Sequence, residues 1–198
     1  MGGSGVIEIS CVQARKELWS LLSRLLDYPQ ADFFTPANRQ LITASTVLSS
    51  TEQTELTEIY DQLAAPSQLQ RESHYADLFE LNRRYTLYMS YYKMSDSRER
   101  GTVLAKLKML YEMFGVAEAT SELADYLPVM LEFFAYADFS DDERLADLQL
   151  AINVIEDGTY ALLQRAAANQ DDPYLRLVKL TRQLIKDCLA QIKEESHV

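Results

Sequence analysis

The stretch ELADYLPVMLEFF, residues 122–134, sets one carboxylate, Glu132, inside an apolar run. Glu122, Asp125 and Tyr126 stand just before Pro128. Proline fixes φ near the helical value and lacks an N–H, so it suits the first turn of a helix and not its interior. The stretch therefore predicts a helix that starts around Pro128 and turns Leu131, Phe133 and Phe134 inward. Asp125 at that start is favoured by the helix dipole. If Glu132 is drawn into the core, desolvation costs on the order of several kcal/mol unless an arginine or hydrogen bonds compensate. Arg83, Arg84, Arg98 and Arg100 are the available partners, so an internal Glu–Arg bridge and a contact with another molecule both stay open for Glu132.

Working outward, helical signals follow one another along the chain. Ser10 is placed to cap a helix through about Tyr28, with apolar residues at 18, 19, 21, 22, 25 and 26. Thr35-Pro36 opens a second helix. Ser50 with Gln53, and Ser67 with Gln70, read as capping boxes. In the segment RRYTLYMSYYKM, residues 83–94, Tyr85, Tyr88 and Tyr92 share a face if the segment is helical. Strand propensity offers the other reading. Ser95 or Asp96 caps a helix to Phe114, which Gly115 ends. Ser140 with Glu143 starts a long helix through about Asn169, with Leu145, Leu148, Ile152 and Ile155 on its stripe and a bend at Gly158. Asp172-Pro173 opens the last helix, with Leu177, Leu184, Cys188 and Ile192 facing inward. No stretch reads as a firm strand. The pattern predicts an all-α, single-domain helical bundle of about eight to ten helices. Residues 1–9, beginning MGGSG, read as an expression remnant and a disordered start, with the helical domain spanning 10–198.

Composition excludes several classes of function. The net charge is −11, which disfavours phosphate backbones and anionic headgroups and favours a cationic partner. No apolar run reaches membrane-spanning length. Cys11 and Cys188 lie near opposite ends, form no CxxC motif and read as buried, reduced thiols of a cytoplasmic protein. His74 and His197 are far apart, and no HExxH, GxSxG, Walker or GxGxxG pattern is present. Asp141-Asp142 and Asp171-Asp172 read as acidic helix starts. The sequence thus predicts no enzyme, no metal and no cofactor.

The segments that remain form an ordered set. LSRLLDYP (22–29), FELNRRYTLY (79–88), YYKMSDSRERG (91–101) and ELADYLPVMLEFF (122–134) together resemble the NarJ-type assembly chaperones of respiratory nitrate reductase. These belong to the redox-enzyme maturation chaperones of molybdenum enzymes. The resemblance spans about residues 18–138. It departs at Ser95, where the family tends to glycine, and at Ala124, where it tends to proline. It implies a cytoplasmic, non-catalytic chaperone without a cofactor, a monomer or weak homodimer. Such a chaperone binds the N-terminal peptide of the apo catalytic (alpha) subunit and supports molybdenum cofactor insertion before membrane docking. A chaperone for another molybdenum oxidoreductase, one with a twin-arginine signal, is the alternative client assignment. Carried onto this sequence, the resemblance implies partner-binding residues Tyr85, Tyr88, Tyr92, Asp96, Arg98, Arg100, Glu122, Asp125, Tyr126, Pro128 and Glu132. An acidic, methionine- and tyrosine-bearing groove suits a basic amphipathic helix.

Overall fold

The computed structural model of the chain describes residues 6–117, 121–140 and 142–190. Among them, ten α-helices run in the order α1 (Ile9–Ala14), α2 (Lys16–Leu26), α3 (Pro36–Thr43), α4 (Ser50–Ala64), α5 (Gln68–Tyr75), α6 (Tyr91–Met94), α7 (Arg98–Met113), α8 (Leu127–Tyr136), α9 (Leu148–Arg165) and α10 (Pro173–Lys186). A π-turn, Ala76–Glu80, continues α5, and a 3-10 turn, Asp142–Asp147, precedes α9. The fold is an all-α, single-domain bundle. The exception to its helical character is a two-residue antiparallel ribbon, β1 (Val6–Ile7) with β2 (Leu189–Ala190), in which Val6 faces Ala190 and Ile7 faces Leu189.

The bundle centres on α2 against α8, the most extensive helix pair. The predicted stripe of α2, Leu18, Trp19, Leu21, Leu22, Leu25 and Leu26, is buried throughout. From α8, Leu127, Met130, Leu131, Phe133 and Phe134 meet the same core. Burial of apolar surface, worth roughly 25 cal/mol per Å², drives this packing. Helices α4, α9 and α10 close the other side of the bundle.

Several helix boundaries match their local chemistry. Thr35 caps α3 by accepting from Asn38 N at 3.2 Å. Ser67 and Gln70 form the capping box of α5. Asp172 caps α10 through Tyr174 N at 2.9 Å. Gly115 takes φ +77° just past α7. Other boundaries differ from the sequence reading. The first predicted helix is two, because the chain turns at Arg15 so that its guanidinium donates to Leu184 O (2.6 Å) near the C-terminus of α10, where a cation is favoured. The second of them ends at Leu26, not Tyr28. The box starting α4 is Ser49 with Glu52, one residue earlier than Ser50 with Gln53. The Gln53 amide is occupied elsewhere, donating to Ile42 O and Thr43 O in the last turn of α3 and to Ser45 O just beyond it. Ser97 caps α7, in place of Ser95 or Asp96. The helix α9 starts at Leu148, and Asp141, Ile192, His197 and the side chain of Glu143 lie outside the described residues.

Three corrections have long-range causes. The tyrosine-rich segment is mostly not helical: residues 82–90 form turns and an extended stretch, and the helix is confined to α6. Its backbone pairs instead with the residues leading into α8, as shown below. Val6 to Ile9 are placed in β1 and the start of α1, not in a disordered start. Cys11 and Cys188 are joined as a disulfide with Cα atoms 5.3 Å apart, where two reduced thiols were expected; their sequence separation of 177 hid the pairing.

Gly158 lies within the continuous helix α9. A Cβ there would lie 2.5 Å from Met89 O and 2.7 Å from Met89 Cα, so glycine lets the 87–90 backbone lie directly on the helix. Ser95 adopts φ +49°, a region costly for any side chain and open to glycine, which accounts for the glycine its resembling family prefers. Gly158→Ala is expected to cost about 1–3 kcal/mol by overpacking. Ser95→Gly is expected to stabilise by about 0.5–1 kcal/mol. Urea unfolding of both variants checks the two opposite signs.

Candidate functional site

The two segments singled out by sequence meet in space. Met89 N donates to Asp125 O (2.8 Å) and Leu127 N to Leu87 O (2.8 Å), making an antiparallel bridge between Tyr88 and Tyr126. Tyr88 and Tyr126 pack ring to ring with centroids 5.2 Å apart. The Tyr88 hydroxyl donates to Glu122 Oε2 at 2.7 Å. Burial, and then the Glu122 carboxylate, push the Tyr88 phenol above its ordinary pKa.

Beneath this bridge lies an internal ion pair. Asp125 is 0% exposed and Arg100 8% exposed. Arg100 Nη2 donates to both Asp125 oxygens at 3.2 and 3.1 Å, and its Nε to Asp125 Oδ2 at 3.3 Å. Ser90 completes the shell through its backbone N (3.2 Å) and its Oγ (2.5 Å). Arg100 Nη1 also reaches the exposed Asp96 at 3.1 Å. The predicted arginine–carboxylate bridge therefore exists, but on Asp125 and not on Glu132. Asp125 is also not a dipole-favoured cap: Tyr126 is the N-cap of α8, with no side-chain capping bond, and the Asp125 carboxylate points to Arg100. An aspartate this enclosed positions the α8 start and is closed to a basic partner.

Tyr126 is likewise held inside. Its hydroxyl donates to Asp27 Oδ1 at 3.1 Å and meets the Tyr75 hydroxyl at 2.7 Å, which in turn lies 3.0 Å from Leu26 O. Burial, and then Tyr75 and Asp27, drive the Tyr126 phenol far above the ordinary range. Tyr85 and Pro128 are buried too. Tyr92 is half-buried, donates to Thr86 O at 2.8 Å and lies under the Arg165 guanidinium, 4.8 Å from its ring centroid. Asp96, Arg98 and Glu122 are exposed.

Glu132 sits at the edge of this assembly, half-buried on α8. Burial, and then the negative charge of Asp27, raise its carboxyl above the ordinary value of 4.5. Among the described residues it has no cation partner. Tyr28 packs edge-on against Tyr75 with centroids 5.6 Å apart, and burial, then the charges of Glu72 and Glu80, raise its phenol above the ordinary pKa. Sequence reasoning missed Asp27, Tyr75 and Ser90 as organisers. Asp27 lay within the quoted LSRLLDYP motif, whereas nothing local marked Tyr75 or Ser90.

Elsewhere, a cavity of about 730 Å³ lies between α1, α2 and α3, lined by residues that include Gln13, Leu18, Leu21 and Leu41. A second cavity, of about 410 Å³, continues it along α2 past Leu41 to the exposed Tyr136. Among the described residues, no group of three or more His, Cys, Asp or Glu side chains is placed to hold a metal, and no helix is long and apolar enough to cross a membrane.

Residues 47–191 match the family described as nitrate reductase delta subunit. The chain belongs to that family. The match takes in the bridge, the ion pair and α9–α10, well past the segments that carried the resemblance in sequence. Among relatives, the Bacillus subtilis (strain 168) "Probable nitrate reductase molybdenum cofactor assembly chaperone NarJ" is 31% identical over 124 residues, 63% of this chain and 67% of that protein. The Escherichia coli (strain K12) nitrate reductase molybdenum cofactor assembly chaperone NarJ is 30% identical over 117 residues, 58% of this chain and 50% of that protein. A Mycobacterium tuberculosis (strain H37Rv) nitrate reductase-like protein, NarX, is 33% identical over 131 residues, which is only 19% of its length. Both NarJ relatives are named as assembly chaperones and neither as an enzyme.

Two outcomes are expected of the buried pair and of Glu132. Arg100→Met leaves Asp125 charged and unpaired in the interior and should cost about 3–5 kcal/mol; adding Asp125→Leu should recover much of that loss. A double-mutant cycle by urea unfolding checks it. For Glu132, an acid whose folded-state pKa is raised destabilises the fold at high pH, and the cost disappears as pH falls to its ordinary value. Glu132→Gln should therefore be more stable than the wild type at pH 7, by less than about 1 kcal/mol after solvent screening, with the gap closing towards pH 4.5. Thermal melts across pH 4–8 check the sign.

Proposed function

We propose that this chain is an assembly chaperone for the catalytic subunit of a respiratory nitrate reductase. It binds the N-terminal segment of that subunit while the subunit is apo, and releases it once the molybdenum cofactor is inserted and before the enzyme docks on the membrane. Family membership over residues 47–191, with relatives named as molybdenum cofactor assembly chaperones, carries the reading. The chemistry of the chain agrees with it. The hydrogen-bonded tyrosines, the buried ion pair and the short bridge make a rigid scaffold, and a preorganised surface loses less entropy on binding a peptide.

Within that reading, the client contacts fall to the residues the fold leaves at the surface. Glu132 and Glu122 face basic residues of the peptide, while Tyr88 and Tyr28 offer aromatic edges with a polar tip. Asp125, Tyr126 and Arg100 act one step removed, holding the face in shape. A half-buried carboxylate without a cation costs the free chaperone stability, and a client lysine or arginine would relieve that cost. Affinity comes mainly from apolar burial, and the charges set orientation and association rate.

The test is titration calorimetry of a synthetic peptide of the client's N-terminal segment, with a twin-arginine signal peptide as comparison. Glu132→Gln and Glu122→Gln should each weaken the client peptide by about 2–5-fold while staying folded, and Glu132→Gln should do so despite its gain in stability. Higher salt should slow association more than it speeds dissociation. Wild-type affinity in both variants would place the client elsewhere on the bundle, and preference for the twin-arginine peptide would change the client.

A further inference from the structure

We infer that the Cys11–Cys188 disulfide is a thiol-reversible clasp that fixes α1, and with it one end of the α2–α3 cavity, to the end of α10. The bond joins the two ends of the chain. Beside it, Glu8 N donates to Cys188 O at 2.8 Å, and β1 pairs with β2 immediately beyond. On the other side, α1 supplies Gln13 and Ala14 to the wall of the 730 Å³ cavity. The clasp and the cavity wall therefore share a six-residue helix, with Val12 as its one buried residue.

The two sulfurs are not equivalent. Cys188 is 1% exposed, whereas Cys11 is half-buried and so the more accessible of the two residues. Arg15 Nη1 lies 3.7 Å from Cys188 Sγ. A guanidinium at that distance stabilises a thiolate, and a better-stabilised thiolate leaves faster in exchange. A thiolate of an external dithiol attacks Cys11 Sγ, the Cys11–Cys188 bond breaks, and its electron pair leaves on Cys188 Sγ beside Arg15. The second thiol of the dithiol then attacks the mixed disulfide and releases Cys11. The dithiol is oxidised to its disulfide by two electrons, and its two protons are taken up by the protein as two thiols.

With the bond open, α1 and β1 keep non-covalent ties: the short ribbon, the Glu8 N–Cys188 O and Trp19 Nε1–Val12 O hydrogen bonds, and the packing of Ile7, Ile9 and Val12 on the core. A helix of this length has little stability of its own. The cavity wall then loosens while the α2–α8 core stays intact. Redox poise, set outside the chain, thereby controls the shape of this cavity.

The experiment uses the full-length protein purified without reductant, with dithiothreitol as the probe. Thiol titration in denaturant should find no free thiols before reduction and two after it. Hydrogen exchange should then rise more than tenfold in residues 6–14 and 187–190 and stay unchanged in α2 and α8, with a fall in Tm of about 5–10 °C. Arg15→Gln should slow reduction several-fold, and Arg15→Lys should restore most of the rate. Two free thiols in the protein as isolated, or unchanged exchange at 6–14 after reduction, would overturn the clasp. Reduction of Arg15→Gln at the wild-type rate would overturn the role of Arg15. Because the main comparison is wild type in two redox states, it stands even if Cys11→Ser fails to fold.

Discussion

The pairing of Arg100 with Asp125 ties together three parts of the chain that are far apart in sequence. Arg100 comes from the first turn of α7, Asp125 from the approach to α8, and Ser90 is the N-cap of α6. A charge taken out of water this completely is tolerated only when all its hydrogen-bonding capacity is met. The two donor groups of Ser90 and the fork of Arg100 meet it. Once that cluster is set, the 87–89 backbone must run beside 125–127, and the bridge between Tyr88 and Tyr126 follows. Gly158 on α9 accepts the back of the same segment, so α9 depends on the cluster as well.

Around this point the molecule separates holding from contacting. Asp125, Arg100, Tyr126 and Tyr75 turn their polar groups to one another, to Ser90, Asp96 and Asp27, and to nearby backbone. Glu132 lies at the edge of that network, a half-buried carboxylate whose pKa is raised by burial and then by Asp27, with no cation partner among the described residues. A stability cost retained at one surface position is the kind of signature that function leaves. The same division separates the residues carried over from the family resemblance: the fold draws five of the eleven, Tyr85, Arg100, Asp125, Tyr126 and Pro128, into its interior.

A different economy governs the ends of the chain. Arg15 donates to Leu184 O near the end of α10, Cys11 reaches Cys188, and a two-residue ribbon closes the seam. These contacts are few and they are local to one corner of the bundle, while the α2–α8 core beneath them is large and continuous. The corner can therefore change state without the core doing so.

How much of this was legible depends on the range of the interaction concerned. The caps at Thr35, Ser67 and Asp172, the glycine after α7, the buried stripe of α2 and the inward face of α8 were readable because each is set by residues within one or two helical turns. So was the family, since its motifs keep their order along the chain. The sequence by itself determined an all-α bundle, its main helices and its kinship to the nitrate reductase delta subunits. Tertiary structure alone decided which carboxylate Arg100 meets, that most of the tyrosine-rich segment would not be helical, that Gly158 admits the close approach of the Met89 backbone, and that two cysteines 177 residues apart would bond. The physical reason is common to all four. Each is a choice among distant partners, made by burial and desolvation once the helices pack, and no local pattern encodes which partner will be within reach.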